Sequence, residues 1–212
     1  DDALYVLGVS YYYTNQHLKS ERRCRELLAN YPNSKYAKEM TLYLARAKLK
    51  LNEEEEAFKL FEEIFQGQYS KEYRAEAALE LGQYQREEKA YAEAERYFRA
   101  VRDSLGDDRQ QRDAQKFLAD TYFESFKFAD ALGGYLQLLG MKPAKNERYL
   151  ALYRAALCSY KLQRISVGME YLDKLIKDPL FYDSLSTVQL TLGEGFEYSG
   201  DLAQAEATYE EV

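Results

Sequence analysis

The stretch "KAYAEAERYFRAV", residues 89–101, places a small residue at Ala94, an aromatic ring at Phe98 and an aliphatic side chain at Val101. The same spacing returns in "KFADALGGYLQLL" and in "DLAQAEATYEEV", where the small residues Ala131 and Ala205 lie 37 and 111 residues after Ala94. Since 111 is three steps of 37, the chain repeats one structural unit every 37 residues.

Six copies follow one another without a gap, with starts near Asp1, Lys38, Ala75, Arg112, Tyr149 and Ser186. The eighth and twentieth positions of each copy are small, the twenty-fourth is mostly aromatic and the twenty-seventh is aliphatic. Positions 4, 7, 8 and 11 share one helix face, and positions 20, 24 and 27 share a face of a second helix. We therefore expect an all-α array of two-helix repeats over residues 1–212, in which small residues let two helices approach closely.

This pattern resembles the tetratricopeptide repeat, which has a large residue at 4, Leu-Gly at 7 and 8, Tyr at 11, Ala at 20, Phe at 24 and Pro at 32. The first copy carries Leu7, Gly8, Tyr11 and Pro32 of that signature. The resemblance implies a right-handed superhelical solenoid of about six helix-turn-helix repeats. Three copies depart from it at position 11, which is Lys48, Gln85 and Ser159.

Each copy is three residues longer than the usual 34. The junctions contain potential helix N-caps, namely Ser34, Ser70, Asp107, Asn146 and Asp183, so the first helix of a repeat is expected to begin nearly one turn early. Lengthened repeats with junctions such as "YPNSKYAKEM" resemble bacterial cell-envelope repeat proteins of the barrel-assembly lipoprotein and TolA-binding types. That resemblance implies a periplasmic or outer-membrane-associated protein, with a cytoplasmic location as the alternative.

Composition narrows the classes of function. The formal net charge is −7, which disfavours a nucleic-acid surface, because such a surface concentrates Lys and Arg. The sequence contains no run of 18 apolar residues, so it predicts no transmembrane segment. The two cysteines, Cys24 and Cys158, fall on different repeats and are not expected to form a disulfide.

The sequence predicts no enzyme, cofactor or metal site. The single histidine, His17, falls in the turn of the first repeat, where packing is expected because no Asp, Ser or Cys is placed to orient it. The acidic run Glu53–Glu56 opens a second helix, where carboxylates complement the positive helix end. A binding role of this run toward a basic partner is the alternative.

The candidate partner-binding surface is the groove lined by the first helices. Positions 2, 5, 9, 12 and 13 of each copy are expected to face it, and half of this lining belongs to packing between repeats. The predicted groove residues are Tyr5, Val9, Tyr12, Leu42, Arg46, Leu79, Gln83, Arg86, Lys116, Asp120, Tyr153, Leu157 and Tyr160, with Tyr13, Leu49 and Phe123 beside them. Such a lining suits a helix or an extended peptide anchored by apolar contacts.

The leading function is therefore a non-enzymatic scaffold that binds a protein or peptide, in a bacterial envelope assembly. A cytoplasmic adaptor, a regulatory module of a larger protein and a self-assembling solenoid are the alternatives. Because the sixth copy stops within its second helix without a polar cap, we expect a longer protein or self-association through that repeat.

Overall fold

A computed structural model describes residues 1–210 and 212, with side chains throughout except at residues 182–185. Within this part of the chain the structure has twelve α-helices and no strand. The helices are α1 (Asp2–Tyr13), α2 (His17–Asn30), α3 (Ala37–Lys50), α4 (Glu54–Gln66), α5 (Lys71–Glu87), α6 (Tyr91–Ala100), α7 (Asp108–Glu124), α8 (Phe128–Gly140), α9 (Lys145–Lys161), α10 (Ile165–Ile176), α11 (Leu185–Ser199) and α12 (Leu202–Glu210). A π-helical turn (Val101–Leu105) follows α6, and a 3₁₀ turn (Pro179–Ser184) precedes α11. The predicted all-α fold class is confirmed.

The six even-numbered helices begin at residues 17, 54, 91, 128, 165 and 202, that is, every 37 residues. In the turn before each of them one residue adopts a left-handed backbone conformation: Asn15, Asn52, Lys89, Phe126, Gln163 and Gly200, with φ between 58° and 83°. The next residue in each turn donates its N–H to a carbonyl five residues back, at 2.8–2.9 Å. This is the Schellman geometry that ends a helix and satisfies its last carbonyls. One turn structure thus sets the phase of all six helix pairs.

The small columns pack as the sequence predicts. Gly8 and Gly82 are buried, and Ala45, Ala57 and Ala94 have no exposed surface. A Cβ added at Gly82 would lie 2.5 Å from Cε1 of Phe98, so the aromatic column fills the space beside the small one. The aliphatic column is fully buried at Leu27, Ile64, Val101, Leu138 and Leu175, whereas Val212 is 51% exposed.

The predicted N-caps are partly confirmed. Ser70 accepts the N–H of Tyr73 at the start of α5, and Asp107 Oδ1 accepts the N–H of Gln110 at 2.8 Å before α7. The prediction of Ser34 and Asn146 as N-caps is wrong. Helix α3 begins at Ala37, three residues past Ser34. Asn146 lies inside α9, where the Glu147 carboxylate accepts the N–H of Ala144. The side chain of Asp183 lies outside the part of the chain that the structure describes.

Two compact units divide the chain, residues 1–110 and 111–212. In the first unit each helix packs on the next from α1 to α6, and α3 also contacts α1 and α5. In the second unit the same succession runs from α8 to α12. The prediction of a single array over residues 1–212 stays a prediction.

Candidate functional site

Tyr5 joins the first two repeats. Its hydroxyl donates to Glu39 Oε1 at 3.0 Å, and its ring stacks on Tyr36 with 4.1 Å between centroids. Burial and the Glu39 carboxylate raise the pKa of Tyr5 to about 12, so the phenol is a hydrogen-bond donor at neutral pH. Tyr5 therefore contributes to the packing between the first two repeats.

A second aromatic cluster lies at the end of α1. The half-buried ring of Tyr12 meets Tyr43 and His17 edge-on, each with 5.4 Å between centroids. Tyr13 is 69% exposed, and its hydroxyl lies 3.1 Å from that of Tyr43. Nδ1 of His17 is buried with no hydrogen-bond partner in the part of the chain that the structure describes, and the ring packs against Tyr12 in the corner, as predicted. Tyr13 is the most exposed member of this cluster and the one most accessible to a partner.

The predicted groove residues of α3 and α5 differ in accessibility. Leu42 is only 2% exposed and belongs to the core, which corrects its placement on the groove. Arg46 Nη2 lies 2.6 Å from Glu76 Oε2 and so bridges α3 to α5. Val9 on α1 packs against the core of the first two repeats. The remaining predicted residues of α5, which are half buried, are Leu79, Gln83 and Arg86.

A cavity of about 230 Å³ opens between the end of α3, the start of α4 and the second half of α5. We call it the α3–α5 cavity; it is lined by Leu49, Glu54, Phe58, Glu80, Gln83, Tyr84, Glu87 and Glu88. The rings of Phe58 and Tyr84 stack with 3.8 Å between centroids and form its apolar wall. Leu49 and Gln83 were predicted to face the groove. The six other lining residues were missed. Two belong to α4, three lie at positions of the repeat that were not assigned to the groove, and Glu87 lies at groove position 13 but was not among the predicted residues.

Phe58 and Tyr84 also line a second, more open cavity of about 500 Å³. Glu54, Glu55 and Glu62 contribute carboxylates to it, and Lys59 contributes the amine. Burial raises the pKa of Glu80 in the first cavity, although Arg46 and Lys50 oppose the shift. This part of the first unit is therefore both acidic and aromatic.

The acidic run has an internal role that the sequence did not reveal. Lys48, at the position where the repeat signature has Tyr, is 2% exposed and lies on α3. Its Nζ is 2.5 Å from Glu53 Oε2, 2.6 Å from Glu56 Oε2 and 3.5 Å from Glu21 Oε1. Two carboxylates of the run therefore neutralise a buried ammonium group rather than stand free for a partner.

In the second unit the predicted residues are mostly engaged within the fold. Asp120 Oδ1 accepts the hydroxyl of the buried Tyr135 at 2.6 Å, and the hydroxyl of Tyr153 lies 3.2 Å from Thr191 Oγ1. Tyr160 is only 8% exposed, so it too belongs to the core rather than the groove. The half-buried remainder is Lys116, Phe123 and Leu157. Arg154 covers the Phe123 ring at 4.4 Å.

The described residues offer little for redox or metal chemistry. Cys24 and Cys158 are both free and fully buried, and burial raises each thiol pKa to about 12, so neither is a reactive thiolate. Among the side chains that the structure describes, no group of three or more His, Cys, Asp or Glu is arranged to hold a metal ion. None of the helices searched is both long and apolar enough to cross a membrane.

Comparison with known proteins agrees with this geometry. The tetratricopeptide repeat model matches residues 2–34 and 150–179, which contain α1–α2 and α9–α10. The structure of pilF from Pseudomonas aeruginosa is similar, with a TM-score of 0.67 and 18% identity over 98% of this chain and 87% of that chain. BtubC (BKLC) from P. vanneervenii is similar as well, with a TM-score of 0.67 and 16% identity over 100% of this chain and 90% of that chain. No curated protein sequence matches the chain significantly.

At these identities the two structures show the fold alone. Stacked repeats of this kind form extended surfaces through which they bind other proteins. The repeated helix pair and its 37-residue phase agree with the tetratricopeptide repeats that the family model matches at residues 2–34 and 150–179.

Proposed function

We propose that the chain is a non-enzymatic scaffold that binds a protein or peptide segment on its first-helix surface. By this surface we mean the accessible side chains of α1, α3 and α5 together with the α3–α5 cavity. The observation that carries the proposal is the cavity itself, where Leu49, Phe58 and Tyr84 present apolar surface beside charged groups. Aromatic anchors with polar neighbours are typical of interfaces.

Because the helices are folded before a partner arrives, binding costs little ordering of the scaffold. An extended or helical segment could place its side chains against successive first helices, as other helical grooves receive their ligands. The buried Leu42 and Tyr160 are excluded from this surface. Within the first unit, Tyr13, Leu79 and Gln83 remain as candidate contact residues.

The experiment is capture of the partner by the immobilised protein, followed by quantitative binding to a matched pair of variants. One variant combines Tyr13→Ala with Gln83→Ala on the first-helix surface. The control combines Tyr31→Ala, where the side chain is 47% exposed after α2, with Gln66→Ala at the end of α4. The proposal requires that the first variant weaken binding while the control keeps it. Equal affinities for both variants would place the binding surface elsewhere.

A location in the bacterial envelope is part of the proposal and rests on the long repeats and their junctions. Fractionation of the native cells, with the protein detected in the periplasm or with the outer membrane, tests it. Recovery in the cytoplasm would instead favour the adaptor.

Self-association is a second candidate, favoured by apolar side chains exposed around α12. Tyr198 is 72% exposed, Leu202 68% and Val212 51%. Exposed apolar clusters of this kind often mark interfaces. Sedimentation would show mass rising with concentration if α12 docks on a second copy, and Leu202→Glu should abolish that rise. A constant monomer mass contradicts it.

A further inference from the structure

Four carboxylates of the α3–α5 cavity form no close ion pair among the described residues, although the more distant Arg46 and Lys50 act on Glu80. Glu54, Glu80, Glu87 and Glu88 line it, and none of them forms an ion pair or a side-chain hydrogen bond there. Neighbouring carboxylates behave differently: Glu53 and Glu56 are neutralised by Lys48, Glu55 by Lys59 and Glu76 by Arg46. These four carboxylates therefore lie together on the wall of one cavity.

The cavity also has an apolar wall. The stacked rings of Phe58 and Tyr84, with Leu49, give a surface against which an alkyl stem or a guanidinium plane can lie. A volume of about 230 Å³ is below the roughly 300–1,000 Å³ of pockets that enclose drug-sized molecules. The cavity is thus sized for a side chain rather than for a free metabolite.

A metal ion does not fit this arrangement. Calcium and magnesium need several oxygen ligands converging within about 2–2.6 Å. The described residues contain no such convergent group of three or more acidic, histidine or cysteine side chains, so the cavity carboxylates do not converge on one point. Carboxylates beside an aromatic wall are suited to a long cationic side chain.

We propose that the α3–α5 cavity receives a lysine or arginine side chain of the partner polypeptide. This inference rests on the proposed function, since it names the chemistry of the segment that the first-helix surface binds. The second cavity shares Glu54, Phe58 and Tyr84 and adds Glu62, so a segment with more than one basic residue can occupy both. Coulomb attraction from the bound cation would offset the desolvation of the Glu80 carboxylate.

The test uses the full chain and a short fluorescein-labelled oligolysine peptide, with binding measured by fluorescence anisotropy. A cavity variant carries Glu80→Gln, Glu87→Gln and Glu88→Gln, which keep side-chain size while removing charge. A control variant carries Asp130→Asn, Glu170→Gln and Glu194→Gln in the second unit, so both variants lose the same net charge. We expect the cavity variant to bind at least about tenfold more weakly, and the control to stay within about twofold of the parent.

Acetylation of every lysine in the peptide should remove binding, because it removes the cation. Three results would each overturn the inference: no binding to the parent, equal weakening of the two variants, or equal binding of the acetylated peptide. Equal weakening would mean attraction to net charge rather than to the cavity. Stronger binding of spermine than of the peptide would assign the cavity to a free polyamine instead.

Failure of this inference can be told apart from failure of the proposed function. If the captured partner still binds the cavity variant but not the Tyr13→Ala, Gln83→Ala variant, the first-helix surface is a scaffold and the cationic anchor is wrong. If the partner binds both variants like the parent, the proposed surface itself is wrong. Circular dichroism of each variant confirms that the helices remain folded.

Discussion

The contact between Gly82 and Phe98 offers a quantitative test of the repeat packing. An alanine Cβ at position 82 would lie 2.5 Å from Cε1 and 2.8 Å from Cδ1 and Cζ of Phe98, a ring with no exposed surface. Carbon atoms pack best at about 3.5–4.0 Å, so the overlap approaches 1 Å. Overpacking of this kind costs about 1–3 kcal/mol.

Gly82→Ala also gains about 0.5–1 kcal/mol, because alanine has a smaller backbone entropy cost in a helix. Gly133, inside α8, supplies the matched control, since a Cβ there meets nothing within 4 Å. Gly133→Ala should therefore stabilise by about 0.5–1 kcal/mol. The difference between the two variants isolates the overpacking, about 1–3 kcal/mol.

Urea unfolding followed by helical circular dichroism measures both changes. Adding Phe98→Leu to Gly82→Ala should recover part of the loss, which a double-mutant cycle reports as a favourable coupling of about 0.5 kcal/mol or more. If Gly82→Ala stabilises as much as Gly133→Ala, the close approach of α5 and α6 is not as described. Absence of coupling to Phe98→Leu would refute the same reasoning.

The remaining predictions concern buried polar groups and one strained turn. Lys48→Met and Lys48→Ala both remove the ammonium that faces Glu21, Glu53 and Glu56, so both should destabilise in urea unfolding, and Lys48→Ala more because it also leaves a cavity; no loss in Lys48→Met would contradict the ion cluster. Glu80 has a raised folded-state pKa, so its contribution to stability is present below the unfolded pKa and is lost as pH rises through the folded pKa. Glu80→Gln should therefore flatten the stability–pH curve and stabilise at pH 7; a variant as pH-dependent as the parent would refute this. Tyr160→Phe removes a buried hydroxyl that has no hydrogen-bond partner among the described side chains, and it should stabilise by about 1 kcal/mol in thermal unfolding, while a loss would mean that the hydroxyl is bonded in solution. Lys89→Gly should stabilise by about 0.5–1 kcal/mol, since φ is 61° there, and a loss would show that the lysine side chain stabilises the turn.

Much of the fold could be predicted from the sequence, because the same repeat positions are buried in successive copies. The small, aromatic and aliphatic columns each meet the same neighbours in every copy, so their residue types report the packing directly. The left-handed turn residue was not readable. Only Gly200 is the usual residue for φ above 0, and Asn15 and Asn52 tolerate it, whereas Lys89 and Phe126 disfavour it. The Schellman hydrogen bonds that close each turn hold the last two in that conformation.

The candidate site was less predictable. The position of a residue in the repeat indicates the helix face on which its side chain lies, but not which neighbouring residues cover it. Leu42 and Tyr160 were therefore predicted to line the groove, whereas they lie in the core. The burial of Lys48 was not predicted either. A buried lysine needs carboxylate partners from other helices, and the local sequence does not identify them. The α3–α5 cavity likewise depends on where three helices meet.

Hydrogen exchange of the full chain with and without the oligolysine peptide tests the central claim, that stacked repeats build a polypeptide-binding surface around this cavity. The account predicts slower amide exchange at the end of α3, the start of α4 and the second half of α5 when peptide is added. Protection confined to α2, α6 or α12, with these segments unchanged, would contradict it.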